Sequence, residues 1–381
     1  MLEKFREYDI VLQRGWDVVK ILFLKLYFFL LYLCRKKGKR YIPEKTDRIV
    51  LIMCKWIGDT FWDMQGIPAL QKKFPDAEIH VVIKPFSKFL FRGILPESQI
   101  HTGSCVISDC RRERFSYVQW KKELSQIRNL QADLLIDFTE TPFSAVFSAL
   151  SGAKYLIGYD HPGRFSQLYD QVVHVAYELH LSKRPLQLYF PLLNSELEFP
   201  QVVPRISEAV KPGFDVIIFP GAGWSAKEYP VEKFHIIARS LSDMGYSVCA
   251  AGSIKEKTLC EKIISGLNNA KIQIGSQEEM LRHLATAKVC LSGDTGPAHL
   301  AAANGIFTIT LFCGTNPLYC GPIGKNVVCL SSSCPDVPKG KIQFCPADRR
   351  YSCSRSCFMD IEPEKITGLI DSYFSGKEFS E

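Results

Sequence analysis

The chain has 381 residues, enough for two domains that each bury a core of their own. Its 47 basic and 40 acidic residues leave a formal charge of +7. That excess is too small and too dispersed for a nucleic-acid binder, and it fits a phosphate-rich ligand or an anionic membrane surface. Fourteen cysteines lie mostly inside apolar runs, as at Cys54, Cys249, Cys290 and Cys313, and read as reduced thiols packing as small hydrophobes.

Val18 to Cys34 (VVKILFLKLYFFLLYLC) is the most hydrophobic stretch, and Arg35-Lys36-Lys37-Gly38-Lys39-Arg40 follows at once. The run falls short of the ~20 apolar residues that a spanning helix needs, and it carries Lys20 and Lys25. No small-residue cleavage site follows it, which argues against a removed signal peptide. Three readings stand. One is a helix lying in the membrane interface, with snorkelling lysines and the basic cluster on anionic lipid. The others are a short anchor with its basic flank on the cytoplasmic side and a helix packed on the protein itself. We favour the first, which assigns residues 18–40 to a membrane surface and sets residues 1–47 apart.

Arg48 to Cys54 is a short apolar strand that opens a first domain over residues 48–196. Lys55-Trp56-Ile57-Gly58-Asp59 is the turn after it, and a helix follows as far as Phe74-Pro75. Glu78 to Ile83 is the next strand. Ser104 to Phe115 is irregular and basic, with Arg111, Arg112 and Arg114. Tyr117 to Asn129 is helical, Ala132 to Phe138 is a strand ending in a carboxylate, and Phe143 to Ser151 is helical again. Ser151 to Asp160 holds a short strand ending in a Gly-aromatic-Asp turn. His180, Lys183 and Arg184 precede a helix through Leu193. Leu197 to Pro212, with three prolines and little periodicity, reads as a linker.

A second domain spans residues 213–361, and a helix with its tail occupies 362–381. Phe214 to Phe219 is a strand, Pro220-Gly221-Ala222-Gly223-Trp224-Ser225-Ala226-Lys227-Glu228-Tyr229-Pro230 its loop, and Val231 to Met244 its helix. Ser247 to Gly252 and Ile272 to Ile274 are strands, and Glu278 to Ala287 is a helix. Val289 to Leu291 is a buried strand, Ser292 to Gly296 a tight turn, and Pro297 opens a slim helix through Ala303. Such a turn aims backbone N–H groups and the positive end of a helix at whatever lies above the strand, which suits a diphosphate. Thr308 to Phe312 is the next strand, with Gly314-Thr315-Asn316-Pro317 as its turn. Strand and helix alternate through both halves, the pattern of doubly wound α/β domains. Cys334, Cys345, Cys353 and Cys357 form a loose cluster near Cys329. Its long spacings favour reduced, loop-packed thiols over a structural metal. Pro363 to Phe374 is a last amphipathic helix.

The run Asp294-Thr295-Gly296-Pro297-Ala298-His299-Leu300-Ala301-Ala302-Ala303-Asn304-Gly305, with an apolar strand and then Gly314-Thr315-Asn316-Pro317, resembles the C-terminal signature of glycosyltransferase family 9. These are the ADP-heptose:lipopolysaccharide heptosyltransferases and their relatives. The Gly58-Asp59 turn, Gly158-Tyr159-Asp160, and Pro220-Gly221-Ala222 with Lys227 and Tyr229-Pro230 extend the likeness from about Arg48 to Phe374. The resemblance implies an α/β GT-B architecture: two Rossmann-like doubly wound domains facing across a cleft, acceptor on the first and donor on the second. It implies that Asp59 is the catalytic base, with Asp63 one helical turn further as its competitor. The donor nucleotide falls to Gly221, Ala222, Gly223, Lys227, Glu256, Gly275, Ser276, Asp294, Thr295, Gly296 and His299. Lys227 would meet phosphate, Glu256 the ribose, and Gly275-Ser276 would lie beside adenine. Lys55, Arg111, Arg112 and Arg164 are candidates for touching the acceptor. Thr139-Glu140-Thr141 departs from the family's glutamine-and-glycine turn, and Lys55-Trp56 is bulkier than its serines.

The implied reaction is inverting transfer of a sugar, heptose by family default, from an ADP-linked donor to lipopolysaccharide or another surface glycan. The chain has no aspartate-x-aspartate pair, so no metal is expected, nor any cofactor beyond the nucleotide-sugar co-substrate. The expected location is the cytoplasmic face of the bacterial inner membrane. Two rivals are a nucleotide-sugar epimerase of the same architecture and a non-catalytic, membrane-attached scaffold.

Overall fold

The short apolar runs of the sequence become parallel strands in the computed structural model. It describes residues 26, 41–43, 45–103, 116–160, 165–176, 178–195, 197–199, 202–204, 213–332 and 358–376. Arg111, Arg112, Arg164 and the cysteines at 334, 345, 353 and 357 lie outside the described residues, as do residues 18–40 apart from Leu26. Among the described residues no helix is long and apolar enough to cross a membrane.

The described chain divides into two units, Met1–Tyr177 with Ser182–Val202, and Glu178–Leu181 with Val203–Glu381. In the first unit the strands are β1 (Arg48–Met53), β2 (Glu78–Ile83), β3 (Ile100–Thr102), β4 (Leu134–Asp137), β5 (Tyr155–Tyr159) and β6 (Gln171–Val173). They form one sheet in the order β3-β2-β1-β4-β5-β6. Val50 of β1 pairs in parallel with His80 on one side and Leu135 on the other. β1 and β4 are buried on both faces, which is why they read as unbroken apolar runs. Ile52, Leu135, Leu156 and Phe147 sit in the core on one face.

The second unit holds β7 (Val216–Phe219), β8 (Val248–Gly252), β9 (Ala270–Ile274), β10 (Val289–Gly293), β11 (Phe307–Phe312) and β12 (Val327–Ser331). Their order is β12-β11-β10-β7-β8-β9. Counted from the first strand of each sheet, both units have the order 3-2-1-4-5-6, the Rossmann order. The doubly wound, two-unit class expected from the sequence is observed. The C-terminal helix Pro363–Phe374 belongs to the second unit's core. Ile366 and Ile370 are fully buried there, Tyr373 stacks on Phe307 at 4.4 Å, and Tyr246 donates its hydroxyl to Asp371 at 2.9 Å.

Four local expectations are revised. The turn Lys55 to Asp59 is shorter than the sequence suggested. The helix Ile57–Asp63 begins inside it, so Gly58 and Asp59 lie in the first helical turn. The single helix expected up to Phe74 is instead Ile57–Asp63, a 3₁₀ turn Met64–Gly66, and Ile67–Lys73. Pro68 starts the second helix, and a Cβ on Gly66 would collide with the Tyr189 ring. Likewise Pro185 and Pro191 open two short helices, Arg184–Gln187 and Phe190–Leu193, where one was expected. Cys54, Cys249 and Cys290 are free and buried, but Cys313 is disulfide-bonded, against its reading as a reduced thiol.

Candidate active site

In each sheet the strand order reverses between its first and fourth strands. Beyond the carboxyl ends of those strands an open α/β sheet leaves its ligand crevice. In the second unit those strands are β7 and β10, and the loops after them carry the signature residues.

Lys227, in the 3₁₀ turn Ser225–Lys227 of the loop after β7, reaches Asp294 just after β10, with Nζ 2.5 Å from Oδ2. The side chains are only 12% and 8% exposed. Asp294 Oδ2 also accepts from the Thr315 hydroxyl at 2.9 Å and lies 3.9 Å from the Cys320 thiol. The lysine is further steadied by the Trp224 ring, 4.3 Å from its Nζ. Asp294 is therefore not the helix cap that an isolated Asp-Thr-Gly would suggest. Thr295 occupies that position and makes no side-chain cap bond. The Thr295 hydroxyl instead donates to the Gly293 carbonyl at 3.4 Å, so the first-turn amides and positive dipole end of the helix Gly296–Ala303 receive no bond from their own N-cap side chain.

His299, on that helix, is 6% exposed. Burial lowers its pKa to about 4. Asp294 opposes the shift, while His180 and Lys227 add to it. The ring is neutral at ordinary pH. His180 is held by the Gly321 carbonyl at 3.0 Å and belongs to this unit despite its place in the first half of the chain.

The remaining donor candidates sit at the ends of neighbouring strands. Glu256 follows β8, and its Oε2 accepts the Ser253 N–H at 2.6 Å. A side chain on Gly221 would overlap the Glu256 carboxylate, so the glycine lets the loop after β7 and the turn after β8 close on each other. Ala222 is half-buried and Gly223 exposed in the same loop. Gly275 and Ser276 follow β9 at the sheet edge. Ser276 caps the helix Gln277–Leu284 by accepting the Glu279 N–H at 3.2 Å. Lys227, Asp294, Thr295, Gly296 and His299 are thus drawn together, Gly221 meets Glu256, and Gly275-Ser276 stand further along the edge.

In the first unit the reversal lies between β1 and β4. Asp59 is half-exposed at the start of its helix, and Asp63 is completely buried. Lys55 Nζ lies 3.0 Å from Asp63 Oδ1. Burial works against the Lys55 charge, but Asp63, Glu140 and Asp59 around it prevail and hold its pKa above the ordinary value. Glu140, beyond the end of β4, has a φ of 59°, a strained conformation for a residue with a side chain. Lys55 therefore faces the protein's own carboxyl groups, and burial, outweighing Lys55, pushes the Asp63 carboxyl well above its ordinary range. Among the described residues, no group of three His, Cys, Asp or Glu side chains is arranged to hold a metal ion.

Sequence reading passed over Thr315, Cys320 and Trp224 as site residues. The Gly314-Thr315-Asn316-Pro317 motif was the available signal for the first.

The sequence model of glycosyltransferase family 9 (heptosyltransferase) matches residues 120–345, which take in both turns of the second unit's site. Lipopolysaccharide heptosyltransferase 1 of Pseudomonas aeruginosa is 27% identical over 280 residues, 68% of this chain and 79% of its own length. Lipooligosaccharide heptosyltransferase 2 of Haemophilus ducreyi is 22% identical over 352 residues, 84% of this chain and 97% of its own. The solved structure of E. coli ADP-heptose lipopolysaccharide heptosyltransferase II is similar in fold, with a TM-score of 0.68 and 18% identity over 86% of this chain and 99% of its own. The chain belongs to glycosyltransferase family 9, the heptosyltransferases.

Proposed function

We propose that this glycosyltransferase moves heptose from ADP-heptose to a lipopolysaccharide acceptor by a single inverting displacement. The observation that carries the proposal is the Lys227–Asp294 pair beside the uncapped start of the helix Gly296–Ala303. As ADP leaves, negative charge grows on the diphosphate. A fixed ammonium and a helix N-terminus meet it without reorganising. A carboxylate repels phosphate, so Asp294 acts by aiming Lys227, and Thr315 holds Asp294 in turn. This charge supply makes a metal unnecessary in the proposed reaction. The ADP-heptose and lipopolysaccharide assignments rest on the names of the relatives, and heptose is taken from them.

The acceptor hydroxyl attacks the anomeric carbon, its proton passes to Asp59, and the bond to the diphosphate oxygen breaks. A base must come within hydrogen-bond reach of that hydroxyl. Asp59 is half-exposed, whereas Asp63 is 0% exposed beneath Lys55. That contrast supports Asp59. Glu256 and Gly275-Ser276 are proposed for the nucleoside. Lys55 pairs with Asp63, as Lys227 does with Asp294, and is proposed as an acceptor contact beside Asp59. We further propose that residues 18–40 rest on the cytoplasmic face of the inner membrane, where a lipid-linked acceptor is available.

Thermal unfolding with nucleotide-sugars tests the donor. ADP-heptose should raise Tm more than UDP- or GDP-sugars at equal concentration, because stabilisation follows ligand concentration over Kd. Equal or greater stabilisation by a UDP-sugar would favour the epimerase-type rival.

A further inference from the structure

Asp59, the proposed base, stands where two positive influences meet. It lies in the first turn of the helix Ile57–Asp63, at the positive end of the helix. Asp63 is four residues further along the same face, and Lys55 Nζ lies 3.0 Å from it, so the ammonium sits on the face that Asp59 shares. Both influences favour an ionised carboxylate and so weaken it as a base. A general base works best when it titrates near the operating pH. Asp63 offsets little of the lysine's charge, because burial leaves its carboxyl reluctant to ionise.

Glu140 brings a further negative charge to the same ammonium. The turn after β4 is tied to the end of β1 at the residues just before Glu140 and Lys55. There the Thr139 hydroxyl donates to the Ile52 carbonyl and accepts the Cys54 N–H, both at 3.4 Å. On its other side Thr141 caps the helix Pro142–Leu150 by accepting the Ser144 N–H at 3.0 Å. Between these two anchors Glu140 takes its φ of 59°, where a glycine would be unstrained. The backbone there favours glycine, and the chain places a half-buried carboxyl instead, within electrostatic reach of Lys55 and Asp63. The neighbouring Asp137, Tyr159 and Tyr169 are buried, and burial favours their neutral forms. From other elements come only cations or paired groups. Lys84 Nζ is 4.7 Å from the ring of Trp56, the helix's N-cap residue, Arg184 opens a short helix packed on this one, and Lys88 is paired with Glu97.

We propose that Glu140 is a positioning residue for the base: its carboxylate shares the Lys55 ammonium with Asp59 and so keeps Asp59 basic enough to take the acceptor's proton. This rests on the reading of Asp59 as the base.

The test follows the Asp59 carboxyl itself. Full-chain enzyme carrying carbon-13 in its aspartate carboxyls is titrated by NMR, with Asp59→Asn to assign the signal. The pH profile of kcat/KM for heptose transfer is recorded on the same variants. Glu140→Gln should lower the Asp59 midpoint by about one pH unit, the lower end of what a nearby charge does, and the acid limb of the profile should move with it. Turnover above that limb should fall by no more than about tenfold, the most that one unit of base strength carries. Glu140→Asp should restore most of the wild-type midpoint. Glu140→Gly removes the charge and relieves the backbone, so it should shift the midpoint as Glu140→Gln does while its Tm equals or exceeds that of wild type. It also gives the reading should Glu140→Gln not fold. An unmoved or raised Asp59 midpoint in Glu140→Gln and Glu140→Gly would overturn the proposal. A lowered midpoint in an enzyme whose Asp59→Asn variant keeps full turnover would leave the electrostatic link standing and sink the reading of Asp59 as base. Loss of turnover in Asp59→Asn with an unmoved midpoint in Glu140→Gln would do the reverse.

Discussion

Lys227 and Asp294, 67 residues apart in the chain, form a buried ion pair with Nζ 2.5 Å from Oδ2. It ties the loop after β7 to the turn after β10, the two strands between which the strand order of the second sheet reverses. The pair has a structural consequence and a proposed functional one, and they separate experimentally. Removing one partner of a buried pair leaves the other charge uncompensated, whereas replacing both with apolar groups is often neutral.

Lys227→Met is therefore expected to cost roughly 3–5 kcal/mol of stability, and Lys227→Met/Asp294→Leu to recover most of it. Donor affinity should stay low in both, since neither has an ammonium for the diphosphate. Denaturant unfolding and ADP titration together check this. Recovery of ADP binding in the double variant would show that the pair is only a structural tie.

Asp63 and Asp59 should part company in the same way. Asp63 is completely buried against Lys55, and burial pushes its carboxyl well above the ordinary range, so Lys55→Met is expected to destabilise the fold by an amount that shrinks as pH falls and Asp63 takes up a proton. Asp59→Asn, at a half-exposed position, should leave Tm close to wild type. Asp63→Asn is expected to retain most turnover. A large loss of stability in Asp59→Asn would show that the two residues' environments have been assigned the wrong way round.

Acid should weaken the second unit through His299. Its pKa falls from 6.5 in the open chain to about 4 in the fold, chiefly through burial. Between those values the unfolded chain binds the extra proton, so stability falls as pH drops through this window. The full drop is worth roughly 3 kcal/mol at about 1.4 kcal/mol per tenfold. Unfolding followed from pH 7 to pH 4 should show this slope in wild type and a shallower one in His299→Gln. Parallel slopes would assign the acid sensitivity to other groups.

Deleting residues 1–42 should release the protein from anionic vesicles and leave ADP binding unchanged. Vesicle flotation at low and high salt reads the outcome. A truncated chain that still floats in both would place the membrane contact elsewhere.

Much of the fold was legible because central parallel strands are buried on both faces and read as apolar runs, as β1, β2, β10 and β11 do. The edge strands β3, β6 and β12 were not read. β3 and β6 are only three residues long, and each of the three pairs on one side alone, so little in their sequence distinguishes them from loop. The short signature around Asp294 announced a tight turn and helix start through its glycine and proline. Nothing in the spacing announced that Lys227 would meet Asp294, that Lys55 would cover Asp63, or that Lys84 would lie beneath Trp56. The first and third join residues brought close by the sheet order, and the second spans one turn and the helix after it, whose early start at Ile57 the sequence did not show.

The most direct measurement is heptose transfer from ADP-heptose to heptose-free lipopolysaccharide by the purified full chain, with Asp59→Asn and Asp63→Asn alongside. The product is followed by mass, and ADP affinity is measured on the same samples. Wild type should add heptose. Asp59→Asn should lose about 100- to 10,000-fold in kcat, the usual range for a general base, with ADP affinity unchanged. Full activity in Asp59→Asn with loss in Asp63→Asn, or no transfer by wild type under conditions where it binds ADP, would contradict the account.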